Sequence, residues 1–188
     1  RITIKIVFLT FLLTSSCAKS DKKTSTDQTT KTTINATKPS INIHAAVLTG
    51  NLEAVKQHIE AGTDINQKEA MSGSTPLMSA ATFNKTEIAK VLINAKSDLS
   101  IKNNDGGTAL HTAAFFGRIE IVQLLIDAKV DKTIRNNFGA TPREIVMVDF
   151  AQMKPIYEML TQQLKPMGFS LDLNELQKAR PVVAMMLQ

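Results

Sequence analysis

The chain repeats itself. Ser74-Thr75-Pro76-Leu77-Met78-Ser79-Ala80-Ala81 lines up with Gly107-Thr108-Ala109-Leu110-His111-Thr112-Ala113-Ala114, 33 residues further on, and Gly139-Ala140-Thr141-Pro142 opens another copy at the same spacing. The second halves align as well: Leu52-Glu53-Ala54-Val55, Thr86-Glu87-Ile88-Ala89 and Ile119-Glu120-Ile121-Val122 each lead to a further Ile at 59, 93 and 126. An earlier copy therefore starts near Ile43-His44. It lies 34 residues ahead, so one extra residue is expected in the loop around Lys68–Gly73. A unit of this length cannot bury its own apolar face, and a fixed period of 20–50 residues points to stacked units rather than a single closed core.

Each copy reads as a helix pair. Thr75, Thr108 and Thr141 are suited to cap a first helix, and in two copies the next residue is Pro76 or Pro142, whose preset φ and missing N–H suit the first helical position. Ala80-Ala81 and Ala113-Ala114 keep that helix thin enough for a close neighbour. The second helix has apolar residues at i, i+3, i+4 and i+7, as in Ile88, Val91, Leu92 and Ala95, or Ile121, Leu124, Leu125 and Ala128. These residues resemble the ankyrin repeat family, whose Gly-x-Thr-Pro-Leu-His-x-Ala-Ala pattern, followed by Gly and a Leu-Leu helix, is met nearly in full by 106–126. The resemblance implies an all-α solenoid of about four helix-turn-helix repeats, over 43–71, 72–104, 105–137 and 138–150 onward. It also places hairpin loop tips at 102–106 and 135–139. Where the family has Gly after the second helix, as at Gly62, this chain has Lys96 and Lys129, which are expected in a strained left-handed conformation. Arg143-Glu144-Ile145-Val146 gives the fourth copy the wetter face of a terminal repeat.

Residues 151–188 read as a helical C-terminal cap. Lys154–Leu160 suggests a helix with Pro155 in its first turn, and Asp172–Glu175 resembles a capping box opening a stripe of Leu173, Leu176, Val183 and Leu187 broken by Pro181. A helix pair that binds a partner is the alternative reading of this stretch.

The formal charge of +5 does not describe the folded part: residues 1–17 carry +2 and 18–42 carry +3, whereas 43–150 carry −1 and 151–188 carry +1. The basic surplus lies outside the repeats, so no nucleic-acid partner is expected. The segment 1–16 has a basic start, the short apolar run Ile6–Leu13 and small residues before the only cysteine, the order of a signal peptide. It resembles a bacterial lipoprotein signal, which implies cleavage before Cys17 and lipidation of that residue. Residues 17–42 then form a lipidated Cys17 and a Ser/Thr/Lys tether too poor in large apolar side chains to fold. Ala18, in place of the Asp that marks inner-membrane retention, implies an outer-membrane lipoprotein in the cell envelope, on the periplasmic side. The alternative is a soluble periplasmic or secreted protein, and a monomer is expected in either case.

No catalytic set converges. There is no His-Glu-x-x-His motif, no second thiol and no phosphate-loop glycine spacing, so no metal, cofactor or catalytic residue is assigned and the protein is read as a non-enzyme. His44 and His111 fall at the Leu-His position, where the family resemblance implies an imidazole that ties hairpin loops together. Glu53, Glu87 and Glu120 recur with the period, which fits a shared structural role.

A surface remains. The resemblance builds a concave groove from the tips and from two variable residues after each Ala-Ala pair: Leu48 and Thr49, Thr82 and Phe83, Phe115 and Phe116, with Val148 and Asp149 less firmly aligned. Asn104, Asp105, Asn137 and Phe138 at the tips complete the expected partner-binding residues. The reading is a scaffold docking one protein partner in this groove. Its rivals are an inhibitor or immunity lipoprotein that neutralises an envelope enzyme or toxin, and a structural envelope protein without a defined ligand.

Overall fold

The structure is a computed structural model that describes residues 39–188; the segment 1–16, Cys17 and the tether as far as Lys38 lie outside the described residues. Among those described, all regular structure is helical: α1 (Ile43–Leu48), α2 (Leu52–Glu60), α3 (Pro76–Thr82), α4 (Thr86–Asn94), α5 (Ala109–Phe115), α6 (Ile119–Asp127), α7 (Pro142–Met147), α8 (Phe150–Leu164) and α9 (Leu173–Met186). The expected all-α repeat solenoid is what forms. Helices α1, α3, α5 and α7 pack in one row and α2, α4, α6 and α9 in a second. The first row can pack closely because Ala80, Ala81, Ala113 and Ala114 are fully buried where neighbouring helices meet, while Val55, Leu92, Ile121 and Leu125 fill the space between the rows.

Local chemistry sets where each pair begins. Asn42, Thr75 and Thr141 accept the N–H groups of Ala45, Met78 and Glu144 at 2.8, 3.3 and 3.3 Å. The reciprocal half of the cap varies: the Thr75 N–H donates to the Met78 sulfur at 3.5 Å, the Thr108 N–H to His111 Nδ1 at 3.2 Å and the Thr141 N–H to Glu144 Oε2 at 2.8 Å. Three chemically different acceptors thus serve one orphan donor. The extra residue of the first period is also visible. The loop before α3 closes from Glu69 to Ser74, whereas the next two close one residue tighter, Asn103 to Gly107 and Asn136 to Ala140.

The C-terminal region departs from a cap simply appended over 151–188. Helix α9 packs on both α7 and α6, the position that the second helix of the fourth pair would take. Helix α8 and the 3₁₀ turn Lys165–Met167 are inserted between the halves of that pair. Helix α8 starts at Phe150, which puts Pro155 inside it rather than in its first turn, and α9 runs straight through Pro181 instead of being broken there. Both prolines are exposed, as are Ala151 and Gln177, whose carbonyls lose their helical partners, so the missing bonds fall on solvent-facing sides of the two helices.

A buried cation fastens α9. Arg180, 3% exposed, donates to the carbonyls of Ile145 (3.3 Å) and Val148 and to the Tyr157 hydroxyl (2.7 Å), which itself donates to the Phe115 carbonyl (2.9 Å). Those two carbonyls end α7, where the helix dipole is negative, so the guanidinium serves as the cap that the sequence of α7 lacks. Burial pushes the Tyr157 phenol up, against the opposing charge of Arg180, and keeps it a neutral donor.

Lys96 (φ 66°) and Lys129 (φ 58°) occupy the left-handed turns after α4 and α6 that Gly62 (φ 68°) occupies after α2. Lys96→Gly and Lys129→Gly are each expected to raise stability by up to about 1 kcal/mol, relief of the left-handed cost outweighing the added chain entropy. Urea unfolding of the two variants checks this, and lower midpoints for both contradict it.

Candidate functional site

The hairpin loops preceding α3, α5 and α7 are joined tip to tip. The Asn104 N–H donates to the Ser72 carbonyl and the Asn137 N–H to the Asp105 carbonyl, both at 2.9 Å. Their side-chain amides repeat the step, Asn104 Nδ2 to the Met71 carbonyl at 2.8 Å and Asn137 Nδ2 to the Asn104 carbonyl at 2.9 Å. The approach is so close that a Cβ at Gly106 would stand 2.7 Å from the Asn137 backbone nitrogen. Asn104 and Asn137, expected as partner contacts, therefore spend their amides inside this ladder. What the ladder presents outward is Asp105, Phe138 at 81% exposure and Met71 at 90%. No described residue forms an ion pair with the Asp105 carboxylate. Met71 escaped the sequence reading, although one period back from Asn104 lands on it.

The other half of the expected groove is covered by the chain itself. Phe169, 3% exposed, lies 5.9 Å from the Phe83 ring and 5.3 Å from the Phe116 ring, both edge to face. Phe115 meets Phe116 at 4.9 Å and Tyr157 at 4.7 Å, and Phe116 is itself only 7% exposed. Phe83, Phe115 and Phe116 are thus not the open docking surface that the family resemblance implied, because the inserted α8 and the loop after it return across the ends of α3 and α5. Thr82 is half-buried beside them. At the first pair Leu48 is half-buried and Thr49 exposed, with the Thr49 hydroxyl donating to the Ala45 carbonyl at 2.8 Å.

Arg118 sits in this covered edge. Its Nη2 donates to the Thr82 carbonyl at 3.1 Å, and its guanidinium carbon stands 5.8 Å and 5.9 Å from the Phe116 and Phe169 ring centroids. Its buried Nε has no partner among the described residues. Burial pushes the side chain down to about 10, with no neighbouring carboxylate opposing the shift.

The histidines are fastenings. His111 Nδ1 faces the Thr108 N–H and hydroxyl while Nε2 lies 3.1 Å from the Ala140 carbonyl at the base of the next hairpin. His44 Nε2 reaches across to the Gln67 carbonyl at 3.1 Å, and His58 is held between Thr63 and the Ile41 carbonyl. Among the described residues no group of His, Cys, Asp and Glu could hold a metal ion, and no helix is long and apolar enough to cross a membrane.

Comparison with known proteins places this geometry. Residues 43–136 match the family model described as ankyrin repeats (3 copies). The chain is similar to protein phosphatase 1 regulatory subunit 27 of Homo sapiens and of Mus musculus, each 42% identical over 64 residues, which is 34% of this chain and 41% of those proteins. It is also similar to an ankyrin repeat-containing protein of Schizosaccharomyces pombe, 45% identical over 65 residues that cover 34% of this chain and 30% of that one. The chain thus spans less than half the length of these curated relatives.

The His111 fastening sets an acid limit on the tip array. Burial lowers its pKa and the nearby Lys102 charge adds to the shift, with hydrogen bonds to the backbone of Ala140 and Ile134 opposing. A base lowered in the folded state costs stability as pH falls below its unfolded value of about 6.5. Thermal unfolding is expected to show a loss between pH 7 and pH 5 that is smaller in His111→Gln than in the parent. Equal losses would remove the argument.

Proposed function

Because this chain belongs to the ankyrin repeat family, whose model matches half of it, we propose that it is a non-catalytic scaffold that docks a protein partner along its hairpin tips. One observation carries the reading: two large apolar side chains, Met71 and Phe138, stand almost fully in solvent on backbone pinned by the asparagine ladder. Their loops are ordered before any partner arrives, so binding loses little backbone entropy, and a rigid aromatic anchor is the residue type that dominates interface energies. Asp105 between them favours a partner with a basic group at that point. The likeness to proteins named as a phosphatase regulatory subunit supports the second reading, that the partner is an enzyme held or inhibited by this chain.

From the leader sequence alone we further propose that the scaffold is exported and attached to a membrane through lipidated Cys17. Incorporation of a fatty-acid label into the parent and not into Cys17→Ser checks that proposal.

The docking proposal is tested by capture from cell extract with the full chain beside Met71→Ser/Phe138→Ser. Both side chains are exposed, so the variant should keep its melting temperature and lose partner retention by at least about tenfold. A partner held equally by both places the site elsewhere, and no partner for either moves the structural envelope reading ahead.

A further inference from the structure

The edge at the ends of α3 and α5 is covered by Leu176 and Ala179 of α9 beside Gly117 and, from the loop after α8, by one side chain, Phe169. Of the stretch 165–170, Lys165, Pro166, Met167, Gly168 and Ser170 are exposed and only Phe169 is buried. The loop's backbone bonds run back to its own helix: Gly168 N–H donates to the Lys165 carbonyl and Phe169 N–H to the Leu164 carbonyl. Gly168, at φ 81°, lets the chain turn there without strain. A single ring is thus held in place, while the loop carrying it is otherwise in water.

The cleft that this ring fills is larger in chemistry than its occupant. Phe83 and Phe116 offer edge-to-face walls, and Arg118 offers a cation. A guanidinium has five N–H donors. Arg118 uses one on the Thr82 carbonyl, its buried Nε has no described partner, and no described carboxylate pairs with it. Phe169 satisfies the aromatic half of the cleft and leaves the charge with only the face of a ring. An incoming segment with an aromatic residue and an adjacent acid would reproduce the ring contacts and add the charge-assisted hydrogen bonds that the loop cannot supply.

We propose that Phe83, Phe116 and Arg118 form a second docking cleft, for a partner segment bearing an aromatic residue next to a carboxylate, and that Phe169 is its built-in occupant in the free protein. This cleft lies at the C-terminal ends of α3 and α5, whereas the hairpin tips precede their N-terminal ends, so the two surfaces can be engaged and tested independently. Opening its outer side calls for the loop between α8 and α9 to lift Phe169 away, with Gly168 at φ 81° as the turn available for it. Helix α9, fastened by Arg180, stays in place.

The test uses the full chain and three fluorescein-labelled peptides, Gly-Ser-Phe-Glu-Ser-Gly and its Phe-Gln and Leu-Glu counterparts, with binding read by fluorescence anisotropy. Phe169→Ala should bind the Phe-Glu peptide at least tenfold more tightly than the parent does. Replacing Glu by Gln in the peptide, or Arg118 by Gln in the Phe169→Ala protein, should cost about tenfold, and the Leu-Glu peptide should also bind more weakly. Phe169→Leu, which keeps most of the packing volume, is measured alongside and should fall between. Amide hydrogen exchange of the unaltered protein gives a readout that needs no variant, in which residues 168–171 should exchange at least tenfold faster than 176–183. No saturable binding to a folded Phe169 variant, equal affinity for the Glu and Gln peptides, or equal exchange in the two segments would overturn the proposal.

Discussion

A helix pair of about thirty residues has two faces to bury and no means of burying either alone, so everything in this protein follows from how closely one pair can approach the next. Ala80-Ala81 and Ala113-Ala114 set that distance. With no side chain beyond Cβ at the point of contact, α3 and α5 pack near enough for the hairpins of adjacent pairs to share backbone hydrogen bonds. The tip ladder is therefore a consequence of alanine packing in the helices behind it. Larger residues there would spread the rows and draw the Asn104 and Asn137 amides away from their acceptors.

Stacking leaves the problem of the last pair, and the chain resolves it with polar chemistry. Helix α7 is short and ends abruptly in the extended Val148, which exposes carbonyls inside the protein. Arg180 reaches them from α9 and holds Tyr157 of α8 in the same gesture, so one guanidinium ties three helices to the end of the stack. Its charge is buried without a carboxylate partner among the described residues; the helix-end carbonyls and the Phe150 ring stand in for one. Arg118 makes a smaller version of the arrangement at the end of α3, through the Thr82 carbonyl.

The repeats were legible because their signals are local and recur. Thr75, Thr108 and Thr141 announce helix starts, the alanine pairs mark the contact face, and the lysines at a glycine position disclose left-handed turns. The return of the C-terminal segment was not legible, since it rests on contacts between residues far apart that share no period. Pro155 and Pro181 read as breakers, yet each sits on an exposed face, where the unpaired carbonyl four residues back is not buried. Phe83, Phe115 and Phe116 sit where the family varies its binding residues, and nothing in their own neighbourhood reveals that Phe169 and Tyr157 cover them. A signal did exist in Arg180, whose place within the apolar stripe of Leu176, Val183 and Leu187 marks it as inward-facing.

All the closing hardware, from the short α7 to Arg180, Tyr157 and Phe169, comes after residue 138, while the hairpins ahead of it are joined to one another by the asparagine ladder. The stack is thus extensible from within. A duplicated 105–137 would present an Ala-Ala face, an asparagine for the ladder and a histidine for the next hairpin on both sides of the seam, and would leave the terminal fittings untouched. Each unit so added would lengthen the row of tips by about one helix spacing, roughly 8–10 Å. The length of the row is therefore a dimension of this architecture that changes in whole steps without redesigning an end.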